Sequence, residues 1–204
     1  GDRIVLAMPP RVAAQIKFQP ELPEKALQAM NAVNTWMAGQ AKAVAVYSTP
    51  FWRDAGLSGD GMSRRGPLAE IHDASPASGG PFALFGFVGI PLQLRSDEQK
   101  LCREIEAQLV RMFGSEAADP LALYIKDWAF DPLTATSADS APQDTHPSYG
   151  LPSVLECLYD GKMIFAGTEV ASQFGGYLEG ALEAAEHAHL RLKRDSTPAR
   201  AQSI

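Results

Sequence analysis

One segment constrains the chain more than any other: Phe165 to Ala188, FAGTEVASQFGGYLEGALEAAEHA. Met163, Ile164 and Phe165 close a short apolar run. Gly167, Thr168 and Glu169 follow as a polar turn, and Gly175 and Gly176 open a helix. Leu178, Ala181, Leu182, Ala185, His189 and Leu192 have the spacing of one buried helical face. A helix N-terminus offers free N–H groups and a partial positive charge. Two glycines let a flat or anionic ligand approach the backbone closely. The residues alone leave two readings level: a turn that cradles a ligand, and a well-packed strand–turn–helix that binds nothing.

The rest of the chain alternates strands and helices, which predicts an α+β fold. Ile4 to Ala7 is a short strand stopped by Pro9 and Pro10. Pro23 suits a first helical position, and Leu27, Met30, Val33, Asn34 and Met37 mark a helix face. Lys42 to Tyr47 reads as a strand covered on both faces, and Leu68 to His72 and Phe82 to Ile90 as two more. Ser96 with Gln99 has the capping-box pattern for a helix with Leu101, Ile105, Leu109 and Met112 on one face, ended by Gly114. Leu121 to Trp128 is a further strand. Asp131 to Ser153 is a long polar stretch, either functional or disordered, and the tail from Asp195 to Ile204 frays.

Composition narrows the partners. The 204 residues carry a net charge of −6, which argues against nucleic acid or an anionic membrane. No apolar run approaches the roughly 20 residues of a membrane span. Cys102 and Cys157 lack metal-ligand spacing and read as reduced thiols of a cytoplasmic protein. No metal site is expected: His187 and His189 diverge on a helix, and His146, Asp139 and Asp144 suit a solvated loop.

The wording of several segments narrows the reading further. The Phe165–Ala188 run closely resembles the C-terminal flavin-contacting motif of the FAD-dependent amine oxidases, the monoamine and polyamine oxidases. DRIVLAMPP (Asp2 to Pro10), IKFQPELP (Ile16 to Pro23), KAVAVYSTPFWRDAGLSG (Lys42 to Gly59), HDASP (His72 to Pro76) and LFGF (Leu84 to Phe87) resemble that family's segments in the same order. The family's Gly-x-Gly-x-x-Gly motif, which seats the ADP half of FAD, is absent from these residues. The resemblance therefore implies the C-terminal half of such an enzyme. Residues 1–10 and 120–194 would belong to an incomplete FAD-binding domain. Residues 11–119 would form a mixed-sheet substrate domain flanked by helices, and 195–204 a frayed tail.

The same resemblance assigns roles. Lys42 would hold a water against the reactive flavin nitrogen; otherwise it is a strand-edge lysine reaching solvent. Tyr177 would face the flavin as one wall of an aromatic cage that orients the amine. The other wall falls near Ala138, where no aromatic stands, so the cage is one-sided or Tyr149 reaches in. Gly167, Thr168, Glu169, Gly176, Leu178 and Trp128 would contact the flavin, and Phe87 would line the substrate cavity. For Trp128 a core role stands level, and for Phe87 core packing is the stronger alternative. No cysteine follows Trp128 before Tyr149, so the flavin is expected to be non-covalent, and weakly bound or absent without the nucleotide-seating segment.

The expected activity is oxidation of an amine to an imine, with hydride to FAD and reoxidation by oxygen or another acceptor. The expected partners are a small-molecule amine, the missing FAD-binding segment and a second copy of the chain. One rival is a non-catalytic domain that self-associates or binds a partner. Another is a different flavoprotein of the same superfold, such as a desaturase. The PFW turn and the GTE…GGYLEGA run favour the amine oxidase.

Overall fold

The computed structural model describes residues 2–140, 143 and 145–196. In chain order the first half runs β1 (Ile4–Leu6), α1 (Pro10–Ala13), α2 (Glu24–Ala32), β2 (Ala41–Tyr47), α3 (Phe51–Asp54), β3 (Gly61–Met62), β4 (Leu68–Asp73) and β5 (Phe82–Val88). The second half runs α4 (Glu98–Phe113), β6 (Ala122–Asp127), β7 (Met163–Phe165) and α5 (Leu178–Ser196). The fold is α+β, with one parallel strand pair and one antiparallel sheet. The chain divides into two compact units, Gly1–Ala38 with Asp131–Ile204, and Gly39–Phe130. These boundaries fall at 38/39 and 130/131, whereas the sequence reading drew them at 10/11 and 119/120. α1 and α2 thus join the first unit, and β6 pairs with β2 in the second.

The second unit is built on five antiparallel strands in the order β3-β4-β5-β2-β6. Side chains alternate between the faces of a strand. Ala41, Ala43, Ala45 and Tyr47 of β2 therefore point to one side and are fully buried. They share a core with Leu68, Ile71, Leu84 and Val88, the α4 residues Leu101, Ile105, Leu109 and Phe113, and Trp52. The expected α4 face is present, but Asp97 caps the helix in place of Ser96: its carboxylate accepts from Lys100 N at 2.9 Å. The PFW turn is the start of α3. Trp52 packs edge-on against Phe51 and Tyr47, and its Nε1 donates to Asp73 Oδ2 at 2.8 Å.

β4 breaks its own alternation. Leu68 pairs with Val88 and Glu70 with Phe87, so Ala69 is an extra residue, a β-bulge. Leu68 and Ile71, three apart, both reach the core, while Glu70 and His72 turn to the opposite face. Gln108 fixes the bulge from α4, accepting from Leu68 N and donating to Leu68 O, both at 2.7 Å. Gly89 gives Ala69 its room, since a Cβ there would lie 2.6 Å from the Ala69 Cβ.

The first unit pairs β1 with β7 in parallel, Leu6 opposite Phe165. Its core joins Leu6, Ala13, Ala26, Met30, Leu155, Met163, Phe165 and Ala184. α5 corrects the sequence reading in two ways. It starts at Leu178, after Gly175 and Gly176. Its buried side is Gly180, Ala184 and Ala188, with Leu192 partly covered. Leu178 and Leu182 are 90% and 62% exposed, and Ala181, Ala185 and His189 are exposed with them. Small residues won the contact because they let the helix backbone lie close: a Cβ on Gly180 would sit 2.1 Å from Phe174 O. α5 continues through Ser196, into the segment expected to fray; residues 197–204, like Asp144, lie outside the described residues. Among the described residues, no helix is long and apolar enough to cross a membrane.

Candidate functional site

In the first unit, the candidate residues lie on the turn after β7 and on the approach to α5. Gly167 precedes a single 3-10 turn, Thr168–Val170. The Thr168 hydroxyl donates to Tyr177 O at 2.7 Å, which ties the turn to the residue that opens the helix. Glu183 of α5 reaches back and accepts from the backbone N–H groups of Ser172, Gln173 and Phe174. The helix start is therefore anchored through both polar ends of the loop. Glu169 is 5% exposed, and burial pushes its carboxyl above the usual range. It favours the neutral acid more than a surface glutamate does.

Tyr177 is 57% exposed, and one face of its ring is taken. The His146 imidazole stacks on it, with centroids 5.0 Å apart and an interplanar angle of 10°. His146 rests in turn on Trp36 at 4.9 Å and meets Tyr149 edge-on at 5.5 Å. Tyr149 is held in place: its hydroxyl donates to Asn34 O at 2.8 Å and accepts from Trp36 N at 2.9 Å. Burial raises the Tyr149 phenol to about 12, so it stays neutral. Gly175 and Gly176 make room for these rings. A Cβ on Gly175 would stand 2.3 Å from the Tyr149 Cβ, and one on Gly176 would stand 2.9 Å from His146 Nε2. On that side the glycines accommodate the chain's own aromatics, where the sequence reading expected a ligand.

The polar stretch from Asp131 is a folded loop with a charged clasp. Asp139 is buried in a capping box, accepting from Thr136 N at 2.8 Å and Thr136 Oγ1 at 2.9 Å. Its other oxygen accepts from Arg11 Nη1 at 2.6 Å. Arg11 also donates to Asn31 O and to the Asn34 side chain. Ala138, the position of the absent cage wall, lies in this same turn and is exposed.

In the second unit, Lys42 stands on the sheet face opposite the core. Two rows run across the strands. Glu70, Phe87, Lys42 and Lys126 are successive register partners, and so are His72, Phe85, Val44 and Tyr124. The Lys42 ammonium lies 5.3 Å from the Phe87 centroid and 6.0 Å from that of Phe85. Phe85 meets Phe87 edge-on at 4.9 Å and stacks with His72 at 6.2 Å. Phe87 is half-buried on this face and is no part of the apolar core. Trp128 follows β6 in a 3-10 turn, half-buried, with the Lys126 ammonium 4.7 Å from its ring. Next to it, Asp127 pairs with the buried Arg95 at 3.3 Å; burial raises that carboxyl against the pull of the guanidinium.

The structure thus gathers the predicted Gly167, Thr168, Glu169, Gly176, Tyr177 and Leu178 on one turn-and-helix start, and pairs Lys42 with Phe87 across two strands. The sequence reading missed His146 and Trp36 beside Tyr177, because stacking across a long loop has no sequence period. It missed the bulge that turns Glu70 and His72 to the Lys42 face, for which a signal existed: Leu68 and Ile71 are three apart in a strand.

The chain matches the family model described as flavin-containing amine oxidoreductase over residues 1–188. It is 31% identical over 195 residues to AofH of Mycobacterium tuberculosis, which carries the name of a flavin-containing monoamine oxidase; the match covers 91% of this chain and 40% of AofH. It is 29% identical over 192 residues to the flavin-containing amine oxidase B of Sus scrofa, covering 91% of this chain and 36% of that protein. Among solved structures it is similar to cyclohexylamine oxidase from Brevibacterium oxydans, with a TM-score of 0.67 and 28% identity, over 95% of this chain and 43% of that one. The chain spans about two fifths of the length of these relatives.

Proposed function

We propose, from the premise that this chain belongs to the flavin-containing amine oxidoreductases, that it carries the substrate face and the C-terminal flavin contacts of an amine oxidase. The observation that carries this reading is the anchored start of α5. Thr168 and Glu183 fix the loop, while Leu178 stands bare on the first turn and Tyr177 just before it keeps one ring face open. Exposed apolar side chains on a rigid helix start fit a flat, largely apolar ring. The residues present therefore suit FAD held without a covalent bond. Gly167, Thr168, Glu169, Gly176, Tyr177 and Leu178 would contact it. Glu169 is buried in the turn, where its carboxyl group would bond a ligand hydroxyl.

FAD held there would supply the acceptor for the hydride of the carbon next to the amine nitrogen. The protein's task is to hold and orient. The open face of Tyr177 presents π density to the amine, and His146 behind it fixes the plane of the ring. Tyr149 packs edge-on against His146 and so backs the Tyr177 ring from behind. Lys42 supplies a positive charge that a hydrogen-bonded water can relay, and Phe87 lines the apolar path. The two unpaired cysteines suit a reducing, cytoplasmic setting.

With no Gly-x-Gly-x-x-Gly in these residues, we expect weak FAD binding by the chain alone. Equilibrium dialysis checks this, and a tight stoichiometric flavin would refute it. Joined to a relative's nucleotide-binding segment, the chain should hold flavin whose visible absorption bleaches when an amine is added without oxygen. Tyr177→Ala should slow that bleaching by the equivalent of about 1–3 kcal/mol, and Tyr177→Phe should change it little. A flavin that no amine bleaches would overturn the reading.

A further inference from the structure

β1 and β7 run parallel, so the turn that carries Gly167 lies at one end of the pair and a separate cleft opens at the other. The cleft has a volume of about 240 Å3. Sites for drug-sized ligands run to roughly 300–1,000 Å3, so this one suits a smaller molecule. Its inner side is apolar, with buried Met163 beside Ile4. Phe18 and Tyr159 add two aromatic walls, with ring centroids 6.5 Å apart and planes 38° from parallel.

The rim is charged. Arg3 and Lys162 outweigh Asp2 there, in a chain whose net charge is −6. The rim thus reverses the sign of the molecule as a whole. Arg3 is braced on α5, its Nη1 donating to Leu192 O at 3.4 Å. Lys162 is exposed, and its backbone is fixed on both sides. Its N–H donates to Tyr159 O at 3.1 Å, and its carbonyl accepts from Ile4 N at 2.9 Å.

The backbone is strained where Tyr159 enters the cleft. Tyr159, Asp160 and Gly161 have φ values of 50°, 57° and 77°, a left-handed run. Glycine takes this region freely and aspartate visits it, but a bulky aromatic residue rarely does. The Tyr159 hydroxyl donates to Pro20 O, which helps to hold the ring against Phe18. Backbone strain of this kind collects at functional sites such as ligand clamps.

We propose that this cleft binds a small aromatic carboxylate. The ring of the ligand lies on Met163 and against Phe18 and Tyr159, and its carboxylate meets the Lys162 ammonium with Arg3 beside it. An ammonium in the same place would face both cations. An acid without a ring would lose the aromatic walls. Asp2 is the one rim group that opposes an anion, and it keeps the affinity modest. The site shares no residue with the flavin and amine contacts described above, so it stands apart from them.

Two-dimensional NMR of the full chain, titrated with phenylacetate, phenylacetamide and acetate, tests this. Phenylacetate should bind roughly two- to fivefold more tightly than phenylacetamide, the scale of one exposed ion pair. Acetate should bind more weakly than either. Shifts should centre on Phe18, Tyr159, Lys162 and Met163. Lys162→Met keeps the apolar stem and should remove the preference for the acid over the amide. Tyr159→Gly suits the backbone of the turn and should weaken both ring compounds severalfold. An amide that binds as tightly as the acid, a preference that survives Lys162→Met, or unchanged binding by Tyr159→Gly would overturn the proposal. So would acetate binding as tightly as phenylacetate, shifts centred elsewhere, or no binding at millimolar phenylacetate.

Discussion

The two units of this chain are held together by different physics. The unit of residues 39–130 has an apolar core that runs from Ala41 through Trp52 to Ile105, with the Arg53–Asp73 pair at its margin and the Arg95–Asp127 pair buried at the end of β6. The other unit has a parallel pair of three-residue strands, an ion pair sealed inside, and apolar side chains left bare. Ile4 and Val5 of β1 are 48% and 42% exposed, and Phe174, Tyr177, Leu178 and Leu182 more so. Parallel strands are normally covered on both faces, and isolated strand pairs are marginal in water. The antiparallel sheet therefore rests chiefly on its apolar core, with polar contacts such as Gln108 on the bulge added to it. The parallel pair depends on polar clasps that fix its loops, and those same loops present the candidate flavin contacts.

Removing the main support of each unit should give the largest effects. Trp52→Ala leaves a cavity under the sheet and should cost about 3–5 kcal/mol. Asp139→Ala strands the Arg11 guanidinium among buried groups and should cost a similar 3–5 kcal/mol, roughly. Hydrogen exchange read separately over residues 41–47 and 163–165 should assign each loss to its own unit. The comparison sharpens with a double variant, Arg11→Met with Asp139→Leu, which should recover most of the single loss. If Asp139→Ala loosened residues 41–47 as much as 163–165, the contrast between the units would fail.

A smaller effect tests the margin of the apolar unit. Asp73 accepts from Arg53 Nε at 2.7 Å, from Trp52 Nε1 and from Ser75 N, and the Arg53 contact leads in holding its carboxyl far below the usual range. Asp73→Asn should cost about 1.5–3 kcal/mol near neutral pH. A folded-state pKa below the unfolded one stabilises above about pH 4 and loses that contribution as the pH falls further. Urea titrations at neutral pH and near pH 2 should therefore show the gap between wild type and variant narrowing in acid. A gap that widened there would contradict the assignment.

The smallest effect belongs to the bare helix face. Leu182→Gln on α5 should change stability by no more than about 0.5 kcal/mol, since the side chain is 62% exposed. Ala184→Gln, two residues on and 2% exposed, should unfold the unit. Circular dichroism on the pair decides the matter. Equal losses would mean that Leu182 is covered in solution.

Local chemistry made much of this molecule legible from its residues. The alternation from Lys42 to Tyr47 marked β2, and the resemblance of the PFW segment implied the turn beyond it. The order of several motifs identified the family before any strand was seen. The candidate residues were legible as types on the chain: Lys42 and Phe87 on strands, and Glu169 and Tyr177 around a turn.

What the residues left open was decided by packing between distant segments. The face of α5 is the plainest case. Leucines at helical spacing promised the buried side, but Gly180, Ala184 and Ala188 took it, because only small residues bring this helix close enough to its loop and to β7. The bulge at Ala69 was settled by Gln108, forty positions along the chain, which holds both backbone groups of Leu68. His146 found Tyr177 across a polar loop, and Arg11 found Asp139 across most of the chain. Sequence specifies the periods of helices and strands because those repeat over a few residues. It is mute on which face is buried when two faces are both acceptable, since that choice lies in the shape of a partner that folding alone brings near.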